Sequence, residues 1–532
     1  MAVESLPQSI DLSHHLNAVS KNRHASPLKD IMHYMTRPGM ISFAGGLPHP
    51  SLFPFSEASI TAYPPTADLS VDAAPKSDLV PIDFQKYAAG KSTMDLNQML
   101  QYGYSTGHPS LLAWIKDYVH YLHQPATSDW QILLHCGNTD GWNKIVRLLC
   151  EPGDLILCEE YTFASSISMW TSFGCRATPV KLDGNGLRAD DLERVLSTWE
   201  TEHPNERRPR LLYIVPVGSN PTGSTMPANR RQEVYEVCRK YDVIIAEDDP
   251  YSALQYPPFE LPSSDTTAAE PTIKTAEEFR DSLEPSFLKF DVDGRVIRLE
   301  SFSKTIAPGN RLGFFVSNPL FSERLLRATE VETQTPSGWS QGIVYDLLNR
   351  WGRDGYLSWL SNLRTQYQIR RDGMCAAISS VFTALPASSS ATGIPGAEGI
   401  AVYSPNTDPS SVKEDQLPLF SLVAPTGGMF LWCRFYLAGA SRFRELASDG
   451  KTMDPEKTFV DELFLALAQN SVLLTPGSYY VPYISQEKET TKARGAEEQI
   501  GYFRFAFSLS TNEEMLEGIK RLEQVVKQYW KY

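Results

Sequence analysis

The sequence has little basic charge, no closely spaced cysteine pairs and no long apolar run. Each of these absences argues against a class of protein. Its 49 Lys and Arg residues are outnumbered by 63 Asp and Glu residues, for a net charge of -14. Nucleic acids and anionic membranes select basic surfaces, so we expect neither as a partner. The seven cysteines, without a C-x-x-C pair, are typical of reduced thiols rather than a disulfide framework. We therefore expect a cytoplasmic location, since no secretory segment is apparent either.

Residues 299–313 combine a lysine with donors that suit a phosphate group. Ser301, Ser303, Lys304 and Arg311 lie in a short segment between two apolar, strand-like runs. Hydroxyl groups and a guanidinium can bind a phosphate, and a lysine partly shielded from water can lose its proton and attack a carbonyl. An aldehyde that carries a phosphate has both features, so this segment indicates pyridoxal phosphate (PLP).

Two further strand ends supply the groups that the ring of such a cofactor needs. Residues 243–251 read as a buried strand that runs into acids, which places Asp248 at its carboxyl end. A carboxylate there can keep the pyridine nitrogen protonated, and Tyr251 can bond the ring's phenolic oxygen. Asn220 follows the apolar run 211–217 and offers its side-chain amide to the same oxygen.

Another phosphate-binding element is predicted at residues 137–142. This segment follows a strand-like run and opens an amphipathic helix that extends to residue 150. A helix N-terminus with free backbone amides binds phosphate, so Asn138 and Thr139 are cofactor-binding candidates.

These motifs and several others occur in an order that resembles the fold-type I PLP-dependent aminotransferases. Within that group the chain is similar to fungal aromatic amino-acid and 2-aminoadipate aminotransferases, which are relatives of kynurenine aminotransferase II. The resemblance implies an α/β fold in which a mostly parallel seven-stranded sheet, sandwiched by helices, forms a large domain beside a smaller α+β domain. The motifs are AGGLP (44–48), LQYGYSTGHPSL (100–111), EEYTF (159–163), SNPTG (219–223), EDDPY (247–251), SFSK (301–304), TGGMFLW (426–432) and TPGSYY (475–480).

The 532 residues are enough for more than one domain, and the resemblance suggests boundaries. Residues 1–60 would form an N-terminal arm over the substrate, 96–380 the large domain and 381–532 the small domain. Three stretches rich in Pro, Ser or Ala are predicted to be surface insertions. They are residues 61–95, about 257–290 and about 386–416.

The resemblance also implies roles for residues that spacing alone does not single out. Arg504 would bind the substrate carboxylate, with Asn220, Gly46 and Lys29 as further substrate-binding candidates. Tyr102 would reach the phosphate and substrate of a neighbouring subunit, which implies a homodimer with shared active sites. Phe163 would stack on the cofactor ring, and Tyr161 is the alternative for that role.

The function implied is the transamination of an aromatic L-amino acid with a 2-oxo acid such as 2-oxoglutarate. In this ping-pong reaction Lys304 holds the cofactor as a Schiff base and then transfers protons, and Asp248 and Tyr251 assist it. A 2-aminoadipate or kynurenine aminotransferase is the alternative, and a PLP-dependent lyase of the same fold is a lower one. A DNA-binding regulator is disfavoured, because the part of the arm that matches the family begins by Ser26 and leaves no room for a winged helix ahead of it.

Two short patterns resemble binding motifs of other kinds. Residues 184–189 match a dinucleotide-binding fingerprint, but the next strand ends without an acid to hold a ribose, so we predict a turn. His14 and His15 have metal-like spacing, but without further ligands nearby in the sequence we predict no metal site.

We predict helices at 323–333, 356–381 and 455–469 and a strand at 472–474. Two overlapping capping boxes, Ser510 with Glu513 and Thr511 with Glu514, precede the last helix.

Overall fold

The computed structural model describes residues 6–27, 34, 37–67, 69, 78–88, 94–261, 275–413, 416–482 and 490–532. Its contacts divide the chain into two compact units. The first unit comprises Met1–Pro152, Cys238–Pro250 and Ile273–Leu363, and the second comprises Gly153–Val237, Tyr251–Thr272 and Arg364–Tyr532. The domain boundaries expected from the family resemblance remain a prediction.

Helices occur throughout both units. They span Ala18–Lys21, Leu96–Met99, Pro109–His123, Asn138–Leu149, Ala164–Ser172, Ala189–Glu202, Ala228–Lys240, Ala276–Asp281, Pro319–Glu332, Gly338–Val381, Ser389–Thr392, Ser441–Ser448, Pro455–Gln469 and Asn512–Trp530. The helices predicted at 323–333, 356–381 and 455–469 are therefore confirmed. The longest one is interrupted at Gly352, whose φ of 65° and ψ of 176° are not helical. Within the described part of the chain, no helix has the length and apolarity needed to span a membrane.

The strands are numbered in chain order. They are β1 (Glu57–Ala62), β2 (Val80–Gln85), β3 (Gln131–His135), β4 (Leu155–Glu159), β5 (Arg176–Val180), β6 (Leu182–Asp183), β7 (Gly186–Leu187), β8 (Leu211–Ile214), β9 (Ile244–Asp248), β10 (Val296–Ser301), β11 (Gly313–Ser317), β12 (Thr383–Ala387), β13 (Gly399–Tyr403), β14 (Phe420–Leu422), β15 (Phe430–Tyr436), β16 (Thr475–Pro476) and β17 (Ile500–Ala506).

The larger sheet has seven strands in the order β3-β11-β10-β9-β8-β4-β5, which confirms the predicted α/β class. In the first unit, β9 and β10 are parallel, and β11 is antiparallel to β10 and β3. In the second unit, β4 is parallel to both β5 and β8. Every residue of β9 and β10 is buried, including the polar and charged residues toward their carboxyl ends.

The register of β9 and β10 determines where the polar strand ends of the first unit lie. Leu299 pairs with Asp248, so the carboxyl ends of these two parallel strands share one edge of the sheet. Ser301 is the last residue of β10 and Asp248 is the last residue of β9. The strand ends thus bring together two of the predicted cofactor-binding residues.

The second unit also contains a six-stranded antiparallel sheet in the order β12-β13-β14-β15-β17-β16. Its core includes one apolar face of the last helix, since Met515, Ile519, Leu522 and Val526 are all buried. That helix begins with the second of the two predicted capping boxes, in which the Thr511 side chain bonds the Glu514 amide and Glu514 bonds back.

Three expectations need correction. Residues 472–474 are not a strand, because only Thr475–Pro476 pairs with β17 in this region. The 61–95 segment is not merely a loop, since β2 lies in it and pairs with β1. In β2, the buried residues Ile82 and Phe84 alternate with exposed neighbours, which is the pattern of a strand. The Pro- and Ala-rich composition around it suggested a loop instead. The 386–416 stretch likewise contains strand β13, which pairs with β12 and β14.

Candidate active site

The end of β10 and the loop after it form a cluster of phosphate-type donors in the first unit. The Ser301 hydroxyl donates to Ser303 Oγ over 2.7 Å, and Arg311 Nη1 donates to Ser303 Oγ over 3.3 Å. Arg311 adopts a left-handed φ of 46°, and its Nη2 donates to the Cys136 carbonyl over 3.1 Å. The structure thus brings together Ser301, Ser303 and Arg311 as the sequence predicted.

The N-terminus of helix Asn138–Leu149 packs against the same arginine. Gly137 precedes this helix with a φ of 90°, and a Cβ placed there would lie 2.2 Å from Arg311 Nη2. Only glycine therefore permits this close approach. In the described part of the chain, no side chain caps the first turn of this helix. Its backbone N–H groups therefore remain available to a ligand. A hydroxyl and guanidinium cluster beside a helix N-terminus has the composition of a phosphate site.

Lys304 lies in the same loop, and its neighbour Thr305 is held in place by two aromatic residues. The Lys304 residue is half-buried. Tyr356 donates its hydroxyl to Thr305 Oγ1 over 3.0 Å, and the Trp359 indole donates to the Thr305 carbonyl over 2.7 Å. These two bonds from the long helix Gly338–Val381 fix the backbone beside the lysine, and sequence reasoning had not identified either residue.

Asp248 is 7% exposed at the end of β9 and accepts a hydrogen bond from the Asn138 side chain over 2.6 Å. Asn138 Nδ2 also lies 3.3 Å from the Leu299 carbonyl. These contacts hold the Asp248 carboxylate at the end of β9, where the sequence predicts that it pairs with a ring nitrogen.

A buried charge network beside this strand end was missed in the sequence. Arg298, fully buried on β10, pairs with Glu247 at 2.9 Å, Asp249 at 3.1 Å and Glu300 at 3.0 Å. Glu300 also pairs with His123 Nε2 at 2.8 Å. Burial alone would raise the pKa of Glu300, but His123 and Arg298 outweigh it and hold that pKa at about 2. The sequence did contain a signal for this network. Glu247 and Asp249 flank Asp248, and Arg298 lies in a second segment whose apolar residues predict a buried strand.

In the second unit, Arg504 on β17 is half-buried with its guanidinium between two aromatic rings. Its Cζ lies 4.2 Å from the ring centroid of Phe430 and 5.0 Å from that of Tyr480. Its Nη1 donates to Asn220 Oδ1 over 2.7 Å, so the two predicted substrate-binding residues are brought together. Burial lowers the pKa of Arg504.

No acidic side chain of the described residues forms an ion pair with Arg504, and its Nε is buried without a hydrogen-bond partner there. The neighbouring Asn220 is 7% exposed. A desolvated guanidinium that lacks an internal counter-ion is suited to an external carboxylate. The sequence did not predict that Phe430 and Tyr480 lie against Arg504, and the two rings border its guanidinium.

Three other predicted residues of the second unit, Tyr251, Tyr161 and Phe163, have different surroundings. Tyr251 is 5% exposed, and its ring centroid is 6.2 Å from that of Phe430. Tyr161 packs against Trp432 and Tyr502, at 5.2 Å from each ring. Phe163 is half-buried immediately before helix Ala164–Ser172. The ring of Tyr161 is thus part of an aromatic cluster, which favours Phe163 as the stacking residue.

The remaining candidates are exposed or undescribed. Tyr102 is 59% exposed, and Gly46 and Thr139 are exposed as well. Lys29 lies outside the described residues.

Comparison with known proteins identifies the family. Residues 78–397 match the family model of aminotransferases of class I and II. An aromatic amino acid aminotransferase of Schizosaccharomyces pombe is 32% identical over 98% of this chain and 99% of its own. An L-tyrosine:2-oxoglutarate aminotransferase of Tapinella panuoides is 32% identical over 100% of this chain and 99% of its own. A solved aminotransferase of Candida albicans superposes with a TM-score of 0.82 at 31% identity, covering 99% of this chain and 100% of its own.

The chain belongs to the class I and II aminotransferases, and it is a PLP-dependent enzyme that acts on amino acids and 2-oxo acids. The residues of the first unit fit the cofactor. Gly137 leaves space beside the Arg311 guanidinium that a Cβ would fill, and Asn138 Oδ1 is buried without a partner in the described structure. The donor set of two serines and an arginine suits the phosphate, and Asp248 suits the ring nitrogen.

Proposed function

We propose that this enzyme transaminates aromatic L-amino acids with a 2-oxo acid such as 2-oxoglutarate. The observation that carries the proposal is the Arg504 guanidinium, which lies between the rings of Phe430 and Tyr480 and has no ion-pair partner among the described residues. A substrate carboxylate would pair with the guanidinium, and an aromatic side chain would contact the neighbouring rings. The aromatic and tyrosine aminotransferases to which the chain is similar support this substrate class.

The first unit would bind the cofactor. Ser301, Ser303 and Arg311, with the helix amides at Asn138 and Thr139, would hold its phosphate. When bound, PLP supplies an electron sink for the negative charge that develops at the substrate α-carbon.

Two residues of the first unit would carry the chemistry. Lys304 would bind the cofactor's aldehyde covalently, and its amine, once displaced by substrate, would move the proton from the α-carbon as general base and acid. Asp248 would hold the proton at the ring nitrogen. Thr305, held by two hydrogen bonds, would limit the motion of the lysine backbone.

The second unit would orient the reactants. Arg504 would bind the α-carboxylate of the amino acid and of the oxo acid in turn, and Asn220 would align it through their 2.7 Å hydrogen bond. Asn220 and Tyr251 would also bond the ring's phenolic oxygen, and Phe163 would stack on the ring. Gly46 and Lys29 would belong to the arm over the substrate.

The active enzyme is proposed to be a homodimer with shared active sites. Large apolar side chains near the N-terminus are strongly exposed, among them Phe43 at 96%, Leu52 at 79% and Ile41 at 78%. Tyr102, 59% exposed, would reach the substrate and phosphate of the second copy. A second copy of the chain would cover such side chains, as symmetric dimers commonly do.

Complementation tests this arrangement. Tyr102→Ala and Lys304→Ala proteins should each be nearly inactive. After the two are mixed and allowed to exchange subunits, each mixed dimer should contain one intact site, so about a quarter of wild-type activity should return. No recovery despite subunit exchange would place Tyr102 in its own subunit's site.

A cytoplasmic location is also proposed. All seven cysteines are free, and all except Cys136 are buried. This is the pattern of a protein kept in a reducing compartment.

The experiment that tests the substrate is the visible absorption of the PLP-loaded enzyme on addition of L-phenylalanine without any oxo acid. We expect the yellow colour to bleach with release of one equivalent of phenylpyruvate, and 2-oxoglutarate to restore it. Bleaching by 2-aminoadipate or kynurenine alone would move the substrate class to those amino acids. Ammonia release with no oxo-acid requirement would instead indicate a lyase.

A further inference from the structure

His14, His15 and Asp242 bring three potential metal ligands to one place in the first unit. His14 Nε2 lies 2.7 Å from Asp242 Oδ2, and His15 Nε2 lies 2.9 Å from Oδ1 of the same carboxylate. The ligand atoms all lie within 4.8 Å of one another. The two histidines are adjacent, but the aspartate is 227 residues further along the chain. Sequence spacing therefore could not reveal the third ligand.

The local structure fixes both sides of this cluster. The histidines end the short helix Ser13–His15, whose first amide is held by Asp11 Oδ1 over 2.9 Å. Leu12, directly before the helix, is fully buried and anchors the segment. Asp242 lies between helix Ala228–Lys240 and β9 with a left-handed φ of 56°. The three side chains are thus presented by constrained backbone rather than by a flexible tail.

Exposure divides the cluster into an anchored side and an open side. The His15 side chain is 2% exposed, whereas those of His14 and Asp242 are 50% and 41% exposed. The buried imidazole provides a fixed ligand, and the open side admits both an ion and water. The exposed side chains can also move, which matters because their present distances are those of hydrogen bonds.

We propose that His14, His15 and Asp242 form a binding site for one Zn²⁺ ion, with water as the fourth ligand. Two imidazoles and one carboxylate are a ligand set typical of zinc, whereas Mg²⁺ and Ca²⁺ prefer sites built from oxygen alone. Zinc binds such ligands at about 2.0–2.2 Å, so tetrahedral ligands stand about 3.4 Å apart. From their hydrogen-bond distances of 2.7 Å and 2.9 Å, His14 and His15 need to move away from the carboxylate by about 0.7 Å and about 0.5 Å. Each Nε2 must carry its lone pair while Nδ1 carries the proton.

The surrounding charges are compatible with a cation. Arg295 Nη1 lies 3.7 Å from Asp242 Oδ1, but the same guanidinium pairs with Asp293 over 2.9 Å. Arg239 also pairs with Asp293, over 3.1 Å. Asp11 lies three residues before His14 in the chain and adds a further negative charge. The carboxylates thus balance the two arginines, and the open side faces water.

Zinc at this place would fasten residues 13–15 to the chain just before β9, the strand that ends at Asp248. Its role would be to stabilise the fold rather than to take part in transamination. The site does not depend on the identity of the substrate, and its test needs no activity measurement.

The test is titration calorimetry of tag-free, PLP-loaded enzyme with Zn²⁺ in a buffer that does not chelate metals, with no amino acid present. We expect one ion per chain with a dissociation constant of about 1 µM. His14→Ala, His15→Ala and Asp242→Asn should each weaken binding about 100-fold. Co²⁺ should compete for the site and give the intense visible absorption of four-coordinate cobalt.

His203→Ala is the matched control, because His203 is 42% exposed and also pairs with a carboxylate, Glu206, at 3.3 Å. We expect that variant to bind zinc as the wild type does. If the His15→Ala protein fails to fold, the half-exposed His14 and Asp242 variants decide the question. Binding weaker than about 100 µM, or binding that survives both substitutions, would overturn the site and leave the cluster as hydrogen bonds only.

Discussion

The side-chain amide of Asn138 donates a hydrogen bond of 2.6 Å to Asp248 Oδ1. Asn138 is the first residue of a helix and Asp248 is the last residue of β9, so the contact joins a predicted phosphate site to a predicted ring-nitrogen site. Both residues belong to the first unit. One asparagine therefore holds the carboxylate that we propose pairs with the ring nitrogen of the cofactor.

Asn138→Asp should lower kcat/KM about 100-fold. The substitution places a second carboxylate at hydrogen-bond distance from Asp248, and two like charges that close raise the pKa of one of them. Steady-state kinetics with L-phenylalanine and 2-oxoglutarate measure the effect. Asn143→Asp is the control, since Asn143 lies on the same helix and bonds Arg147 instead. Equal losses in both variants would reject a specific role for the Asn138–Asp248 contact.

Gly137→Ala should weaken PLP binding at least about tenfold, because its Cβ would displace the Arg311 guanidinium. Gly153→Ala provides a matched control: its φ of 96° resembles the 90° of Gly137, but nothing lies within 4 Å of an added Cβ. Both variants should lose about 1–2 kcal/mol of unfolding free energy from backbone strain. Fluorescence titration of the apoenzyme with PLP separates them, and equal affinities would argue against a phosphate role for Arg311.

Lys304→Ala should abolish turnover and the covalent attachment of PLP while the fold and non-covalent PLP binding persist. Borohydride reduction followed by mass spectrometry should label the wild type at this lysine and leave the variant unlabelled. Lys289→Ala, an exposed lysine of the same unit, should behave as the wild type does. Full activity in Lys304→Ala would remove this lysine from the mechanism.

Arg504→Ala should raise KM for the amino acid and for the oxo acid by about 30-fold to 1,000-fold each. The same guanidinium is expected to bind both carboxylates, and a charge-assisted pair in a partly buried site contributes about 2–4 kcal/mol. Arg521→Ala, which removes an exposed arginine paired with Glu517, should leave both values unchanged. An increase confined to one substrate would reject Arg504 as the common anchor.

Glu159→Gln should stabilise the protein at neutral pH. Glu159 is 2% exposed, burial raises its pKa to about 8, and a 2.7 Å hydrogen bond from the Ser219 hydroxyl opposes that rise. Because the unfolded value is 4.5, this contribution to stability is complete below pH 4.5 and is lost as pH rises toward 8. The loss approaches about 1.4 kcal/mol per pH unit in that window.

Chemical denaturation at pH 5, 6, 7 and 8 measures that dependence. The Gln variant keeps an acceptor for Ser219 and should show a flatter profile, with a gain of on the order of 3 kcal/mol at pH 7. Glu200→Gln, an exposed position on helix Ala189–Glu202, is the control. Parallel profiles for the wild type and Glu159→Gln would show that Glu159 is ionised in the folded protein.

Much of the fold was predictable, because the signals that define it are local. Helix Pro455–Gln469 was predicted with its observed bounds. The buried strand ending at Asp248 and the capping box of Thr511 with Glu514 were also predicted. The strand Val80–Gln85 was missed because its alternating burial lies within a Pro-, Ala- and Ser-rich stretch whose composition suggested a loop. The strand predicted at 472–474 was wrong because apolar composition alone does not supply a pairing partner.

The sequence by itself determined the chemistry of this protein. Lys304, Asp248, Asn220 and Arg311 were proposed as cofactor-binding residues because PLP chemistry requires those residue types near strand ends, whereas Arg504 was proposed as the carboxylate anchor from the family resemblance. Contacts between distant segments were decided only by the tertiary structure, since no local pattern encodes which two loops will meet.

The hydrogen bond of Asn138 to Asp248 spans 110 residues, the bond of Arg504 to Asn220 spans 284, and those of His14 and His15 to Asp242 span 228 and 227. Each of these pairs is brought together by packing and strand order rather than by spacing. That is why the sequence alone could propose the groups that carry the chemistry, but not the partners that orient them.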